Sequence, residues 1–244
     1  SKSGTVHYDW HWFWDYGNGD LGNQGIHQMD IARRFLREDK ISPRVWSIGG
    51  RVGYVDDAET PNTQIVYHEY KKAPLIFEVR GLPSNATAEN MDSYRGSSVG
   101  VVVECEGGYL TVPDHTAMAF DKDGKQIREF KGPAGRFDQA AAENPNRKRS
   151  EFGTTDHFDN LIAAVRSRRR ADLRGDILEG HLSSALCHTG NISHRLGHRS
   201  SPDEMIEQIK AMKGVEETLG RMTEHLAKNH VDINRDRKST RLNS

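Results

Sequence analysis

The sequence has few cysteines, no long apolar run and no excess of charge of either sign. Cys105 and Cys187 are its only cysteines, in a chain of 244 residues, too few for a disulfide framework. No Cys-x-x-Cys occurs, which removes the common spacings of structural zinc and of thioredoxin-like redox chemistry. No stretch approaches the roughly 18 consecutive apolar residues of a membrane-spanning helix. Lys and Arg number 34 against 35 Asp and Glu, a balance that does not point to nucleic acid. The basic runs Arg147–Lys148–Arg149 and Arg168–Arg169–Arg170 are short enough to be solvated surface. Neither a nucleic-acid nor a membrane partner is expected. Apolar residues make up only 35%, so the core must come from amphipathic elements. Glycine is plentiful, at 23 residues, and implies many tight turns.

The order of patterns is mixed. Residues 5–16 place Trp10, Trp12 and Trp14 at period two, which predicts a strand with one bulky face. A glycine-rich turn comes next, over 17–25. The spacing of Met29, Ala32 and Leu36 then predicts a helix over 24–37. Short β-branched runs at Val45–Tyr54, Thr63–Tyr70, Leu75–Arg80, Gly100–Cys105, Tyr109–Val112, Ala117–Phe120 and Ile127–Phe130 are separated by turn signals and predict one largely antiparallel sheet. Residues 131–153 read as a loop. Helices return at 155–168, at Ile177–Leu196 and over 203–228, where Ser201-Pro202-Asp203-Glu204 is a start signal. Fold class is therefore α+β: an open, mainly antiparallel β-sheet with helices packed on one face.

Two readings compete for the glycine-rich segment. Gly17-Asn18-Gly19-Asp20-Leu21-Gly22 satisfies G-x-G-x-x-G, and Asp56 and Asp57 lie beyond the next strand. The strand feeding a dinucleotide-binding loop is buried on both faces and aliphatic. Here that segment carries His7, Asp9, His11 and three tryptophans. Asp20 would also set a carboxylate beside a pyrophosphate, and the chain continues in hairpins rather than βα units. The nucleotide reading is set aside. The alternative places the site at the start of the helix. His27 and Asp30, three apart, project from one face, with Asn23 and Gln24 in the approach. Neutral imidazole there can serve as a general base; the bland alternative is a packing histidine with Asp30 as its partner. His7, His11 and His27 do not form a recognised zinc spacing, and no metal site is expected. Cys187 and His188 are adjacent on a helix and diverge, so they form no nucleophile pair.

The runs WHWFWDYGNGDLGNQGIHQMDIAR, DDAETPNTQIVYHEY, PLIFEVRGLP and HLSSALCHTGNISHRLG together resemble the bacterial-type C-terminal domain of the Gfo/Idh/MocA family of oxidoreductases. The first contains the G-x-H-x-x-D segment of that family. The resemblance implies a dihydrodipicolinate-reductase-like C-terminal fold over residues 1–234. It also implies that His27 takes the proton from a sugar hydroxyl as hydride leaves. Asn23 stands where the family commonly has a helper Asp, and Asn cannot accept a proton. The catalytic positions implied are thus His27 and Asn23. The candidate substrate-binding residues are Trp12, Trp14, Asp20, Gln24 and Asp30. An indole face suits the apolar face of a sugar ring.

The resemblance further implies an NAD- or NADP-dependent dehydrogenase acting on a sugar, cyclitol or glycoside hydroxyl or ketone. The cofactor would be bound mainly by an upstream Rossmann domain bearing a Glu-Lys-Pro segment, which these residues do not contain, so the fragment is not expected to turn over alone. Homo-oligomers through the sheet face are expected by the same resemblance. The alternative is a non-catalytic carbohydrate-binding or scaffolding module of the same fold. Residues 235–244, RDRKSTRLNS, read as a non-native tail, expected to be extended and without packing partners.

Overall fold

The computed structural model describes residues 6–113, 116–131, 155–232 and 241–242. The chain divides into two compact units, residues 1–101 with 182–244 and residues 102–181.

The first unit is built on a four-stranded sheet. Its strands are β1 (Val45–Gly50), β2 (Thr63–His68), β3 (Leu75–Arg80) and β8 (Arg241–Leu242), in the order β3-β2-β1-β8. All three pairings are antiparallel, with Ile48 opposite Ile65 and Val66 opposite Phe77. Alternation along the strands divides the apolar side chains between two cores. Trp46, Ile48 and Ile65 pack with Met205 and Ile209 of α6 (Pro202–Ile209) and with Val215, Met222 and Leu226 of α7 (Val215–Lys228). Val66, Leu75 and Val79 pack on the other face. There they meet Leu21 of α2 (Gly19–Asn23), Met29 of α3 (Gly25–Leu36), and Leu186 and Cys187 of α5 (Ile177–Leu196).

Charged groups seal one edge of the first core. Arg221 donates to Glu78 at 2.5 Å and Arg80 donates to Asp92 at 2.5 Å. The buried His225 sets its Nδ1 3.2 Å from the same Asp92 carboxylate.

The second sheet holds β4 (Gly100–Cys105), β5 (Gly108–Pro113), β6 (Thr116–Asp121) and β7 (Gln126–Lys131), in the order β4-β5-β6-β7. The AFDKDGKQIREF hairpin forms as its turn chemistry predicts: Asp121 Oδ1 accepts from the backbone N–H of Asp123 at 3.0 Å and of Lys125 at 2.9 Å. Helix α4 (Thr155–Ser167) precedes a 3₁₀ turn at Arg170–Asp172, and Asn160 ties the two together through the carbonyl of Asp172 at 2.7 Å.

The α+β class, the antiparallel pairing and most element positions agree with the sequence reading. Several details differ. The strands form two sheets rather than one, and the first carries helices on both faces rather than one. Residues 6–16 are not a strand. Val6–Asp9 is a short helix, α1, leading into a 3₁₀ turn at Trp10–Trp12. Local bonds to the carbonyls of Trp10 and Phe13 close these turns. The rings of Tyr8, Trp10, His11 and Trp12 gather on one another at 3.8–5.8 Å, whereas a strand would put His11 on the face opposite the other three. The expected 17–25 turn contains helix α2. The expected helix over 203–228 breaks at Gly214, whose φ of 83° separates α6 from α7. Arg241–Leu242 pairs with β1, so at these residues the tail has the partner it was expected to lack. The expected 131–153 loop and the rest of that tail fall almost wholly outside the described residues.

Burial gives the first unit an acid limit. His68 is fully buried on β2, and burial pushes its imidazole down to about 4 from an ordinary 6.5. Burial likewise pushes His225 down, against the raising effect of Asp92. The folded state therefore binds fewer protons than the unfolded chain between these values. Stability is full above about pH 6.5 and falls as pH drops towards 4, by about 3 kcal/mol for His68 alone. Urea unfolding at pH 7 and pH 4.5 should show that loss, and His68→Gln should flatten the slope. An equal slope in the variant would contradict the assignment.

Candidate functional site

A seam between residues 14–30 and helix α5 organises the site. The two run in opposite directions, and their contacts succeed one another in register. Ser183 Oγ donates to Asp30 Oδ1 at 2.5 Å, and Cys187 Sγ lies 3.8 Å from Met29 Sδ. A Cβ on Gly190 would sit 2.9 Å from Val66 and 3.1 Å from Leu21, so the helix backbone lies directly on both. Asn191 donates to the carbonyl of Asn18 at 2.8 Å, and the Arg195 guanidinium sits 5.1 Å over the Trp14 ring. Burial pushes the Cys187 thiol up to about 12, which makes it a packing group and not a nucleophile.

The same seam separates His27 from Asp30. His27, Asn23 and Gln24 are exposed at the junction of α2 and α3. The His27 backbone N–H donates to Gln24 O at 3.2 Å, and Gln24 donates through its side chain to Gln28 at 3.3 Å. Among the described residues no hydrogen-bond or ion-pair partner holds the His27 imidazole. Asp30 instead accepts from Arg34 at 3.0 Å and from Ser183, and lies 3.6 Å from the Arg33 guanidinium. Arg33 is 3% exposed and also donates to Ser183 at 3.4 Å and to Glu38 O at 2.8 Å. Asp30 therefore anchors α3 to α5, and the hydrogen bond to His27 that the packing-histidine alternative required is not among its contacts in the described residues. A charged residue at 33, inside the apolar stripe of Met29 and Leu36, was the signal for this anchor in the sequence.

Asp20 and Trp12 do come together. Burial pushes the Asp20 carboxyl above its ordinary range, and the hydrogen bond from Trp12 and the charges of Arg51 and His11 only partly oppose that. The Trp12 carbonyl accepts from the backbone N–H of Glu59 at 2.9 Å and of Thr60 at 3.2 Å, and Glu59 accepts from the Trp14 N–H at 2.8 Å. Gly19, at φ 67°, lets Thr60 approach to a distance a Cβ would block. Arg51, which the sequence reading missed, donates to Asp56 and to Thr60 O. Asp56 thus closes a local ion pair. The aromatic segment is fixed to the 51–60 loop, with Trp12 and Trp14 half-buried.

No family model and no curated protein matches the sequence. Among solved structures, the chain is similar to the WlbA dehydrogenase from Bordetella pertussis, determined in complex with NADH and UDP-GlcNAcA. Identity is 15% and the TM-score 0.39, over 76% of this chain and 46% of that one. The chain thus spans less than half the length of that protein.

Substitutions at two positions test the seam. Asp30→Ala leaves the buried Arg33 and Ser183 without their carboxylate and should cost about 1–3 kcal/mol in urea unfolding, whereas Asp30→Asn should cost less. Gly190→Ala should cost about 1–3 kcal/mol through overpacking on Val66 and Leu21, despite the better helix propensity of Ala. Wild-type stability in both would mean that the seam is not tightly packed.

Proposed function

We propose that this chain is the substrate-side domain of an NAD(P)-dependent oxidoreductase acting on a hydroxyl or ketone of a sugar, cyclitol or glycoside, with His27 as the group that takes or returns the hydroxyl proton. The observation that carries this is the position of His27. Its helix is tied down on the opposite side by Met29, Arg33 and Asp30, while its imidazole stands exposed at the helix start beside Asn23 and Gln24. A base fixed by a rigid backbone and left without a partner among the described residues is available to a substrate.

Asn23 and Gln24 supply amide donors and acceptors for substrate hydroxyls. Trp12 and Trp14 offer half-buried indole surface for the apolar face of a sugar ring. Asp20, with its raised carboxyl, holds Trp12 in place and is a further polar contact for substrate. Asp30 acts on this reading through the placement of α3.

A nicotinamide cofactor would supply hydride acceptance, but the residues described here do not fit a dinucleotide. The Gly17–Gly22 run lies at and within α2, with Asp20 half-buried beside Trp12 and Gly19 packed on Thr60. Cofactor binding on this reading belongs to an upstream nucleotide-binding domain. Homo-oligomerisation through the sheet is part of the same proposal.

In the protein that contains this chain together with such a domain, His27→Ala should lower kcat by about 10²–10⁴-fold and leave NAD(P) binding nearly unchanged. Gln24→Ala should mainly raise KM. Steady-state kinetics on a panel of sugars and cyclitols with both cofactors checks this. Wild-type kcat in His27→Ala on the best substrate would overturn the assignment.

A further inference from the structure

A small cavity in the first unit forms a second candidate site, independent of the redox reading. It lies between β1, β2 and helices α6 and α7, and its volume is about 50 Å³. Its origin is local. Thr63 stands directly opposite Gly50, and directly opposite residues of an antiparallel pair share a face. With no side chain at Gly50, the space in front of Thr63 stays open. Thr63 also shares a face with Ile65, two positions on, and Ile65 packs with Met205 and Met222 in the first core. The Thr63 side chain therefore points towards the cavity that these two methionines line.

The wall is largely apolar, with one polar side chain deep inside it. Thr63 is 3% exposed, and its hydroxyl has no hydrogen-bond partner among the described residues. A buried hydroxyl left unpaired is costly, and a ligand that pairs with it removes that cost. The other hydroxyls of the lining stand nearer the surface and are engaged. Ser200 is half-buried, with its Oγ 3.3 Å from His198 Nε2, and the exposed Thr223 donates to Leu219 O at 2.9 Å. The Gly50 carbonyl already accepts from the Asn62 N–H at 3.2 Å. A buried water needs about two to four polar partners, so this interior suits water poorly and suits an apolar body with a single hydroxyl well. Among the described residues the lining carries no charged side chain, which disfavours a carboxylate or an ammonium. The methionines make the wall adaptable. Such space holds about one water-sized sphere per 10–15 Å³, so the cavity takes about four non-hydrogen atoms.

We propose that this cavity is a binding site for a short-chain, uncharged alcohol, with its alkyl body against Met205 and Met222 and its hydroxyl paired with Thr63.

Titration of the full chain with n-propanol, read by the resonances of methyl-labelled methionine, tests this. Met205 and Met222 should shift saturably, and Met29, in the core on the other face of the sheet, should not. Thr63→Val keeps the shape and removes an unpaired hydroxyl, so it should fold, and it should weaken n-propanol binding by about 3–10-fold. Thr63→Ser, which keeps the hydroxyl, should stay within about twofold of the wild type. n-Propyl chloride, which brings no hydroxyl, should not distinguish the wild type from Thr63→Val. Shifts that grow without saturating, or that reach Met29 equally, would mean an adventitious additive only and would overturn the site. Saturable n-propanol binding of equal affinity in the wild type and Thr63→Val would overturn the pairing with Thr63, and with it the ligand class.

Discussion

The close approach of α5 to the sheet at Gly190 is the constraint on which the first unit depends. With no side chain there, the helix backbone reaches Val66 of β2 and Leu21 of α2 together. That single depth fixes the height at which every other contact of the seam can form. Asn191 then reaches the carbonyl of Asn18, Cys187 meets Met29, and Ser183 meets Asp30. A packed interior passes such a constraint along because it has little room to yield. The polar contacts of the seam give it register, and the apolar ones give it most of its free energy of burial.

This construction explains how a short helix start can carry an exposed polar group without being loose. Helix α3 is held by its Met29–Leu36 stripe from below and by the Arg33–Asp30–Ser183 group from the side. Its outward face is left to His27. The aromatic segment before it is fixed separately, through the Trp12 and Trp14 bonds to residues 59–60 and the half-buried Asp20. Two independently anchored pieces of chain thus flank the junction at 19–24, where the exposed amides of Asn23 and Gln24 lie.

Much of this was legible in the sequence. The strands at Leu75–Arg80 and Gly100–Cys105 and the helix Ile177–Leu196 fall where their patterns put them, because strong local propensity and packing agree there. The aromatic segment misled. Period two at Trp10, Trp12 and Trp14 looks like a strand, but among the described residues no strand lies beside it to pair, and ring contacts between close neighbours favour turns. The division into two sheets was hidden because pairing partners are set by the chain's path, which hairpin signals do not encode. The break at Gly214 was readable only as a single glycine in a long helical period. Within the site, His27, Asn23 and Gln24 share the exposed junction of α2 and α3. The link from Asp30 to Ser183 was not legible because the two lie 153 positions apart, a distance that no local spacing reports.

The most direct measurement is a crystal structure of this chain, joined to the nucleotide-binding domain that the proposed function requires, with a polyol substrate bound. One substrate hydroxyl should lie within about 3 Å of the His27 imidazole. Asn23 or Gln24 should bond a neighbouring hydroxyl, and a ring face of Trp12 or Trp14 should lie against the sugar. A substrate seated elsewhere, with His27 still facing solvent, would contradict the assignment of His27 as the base.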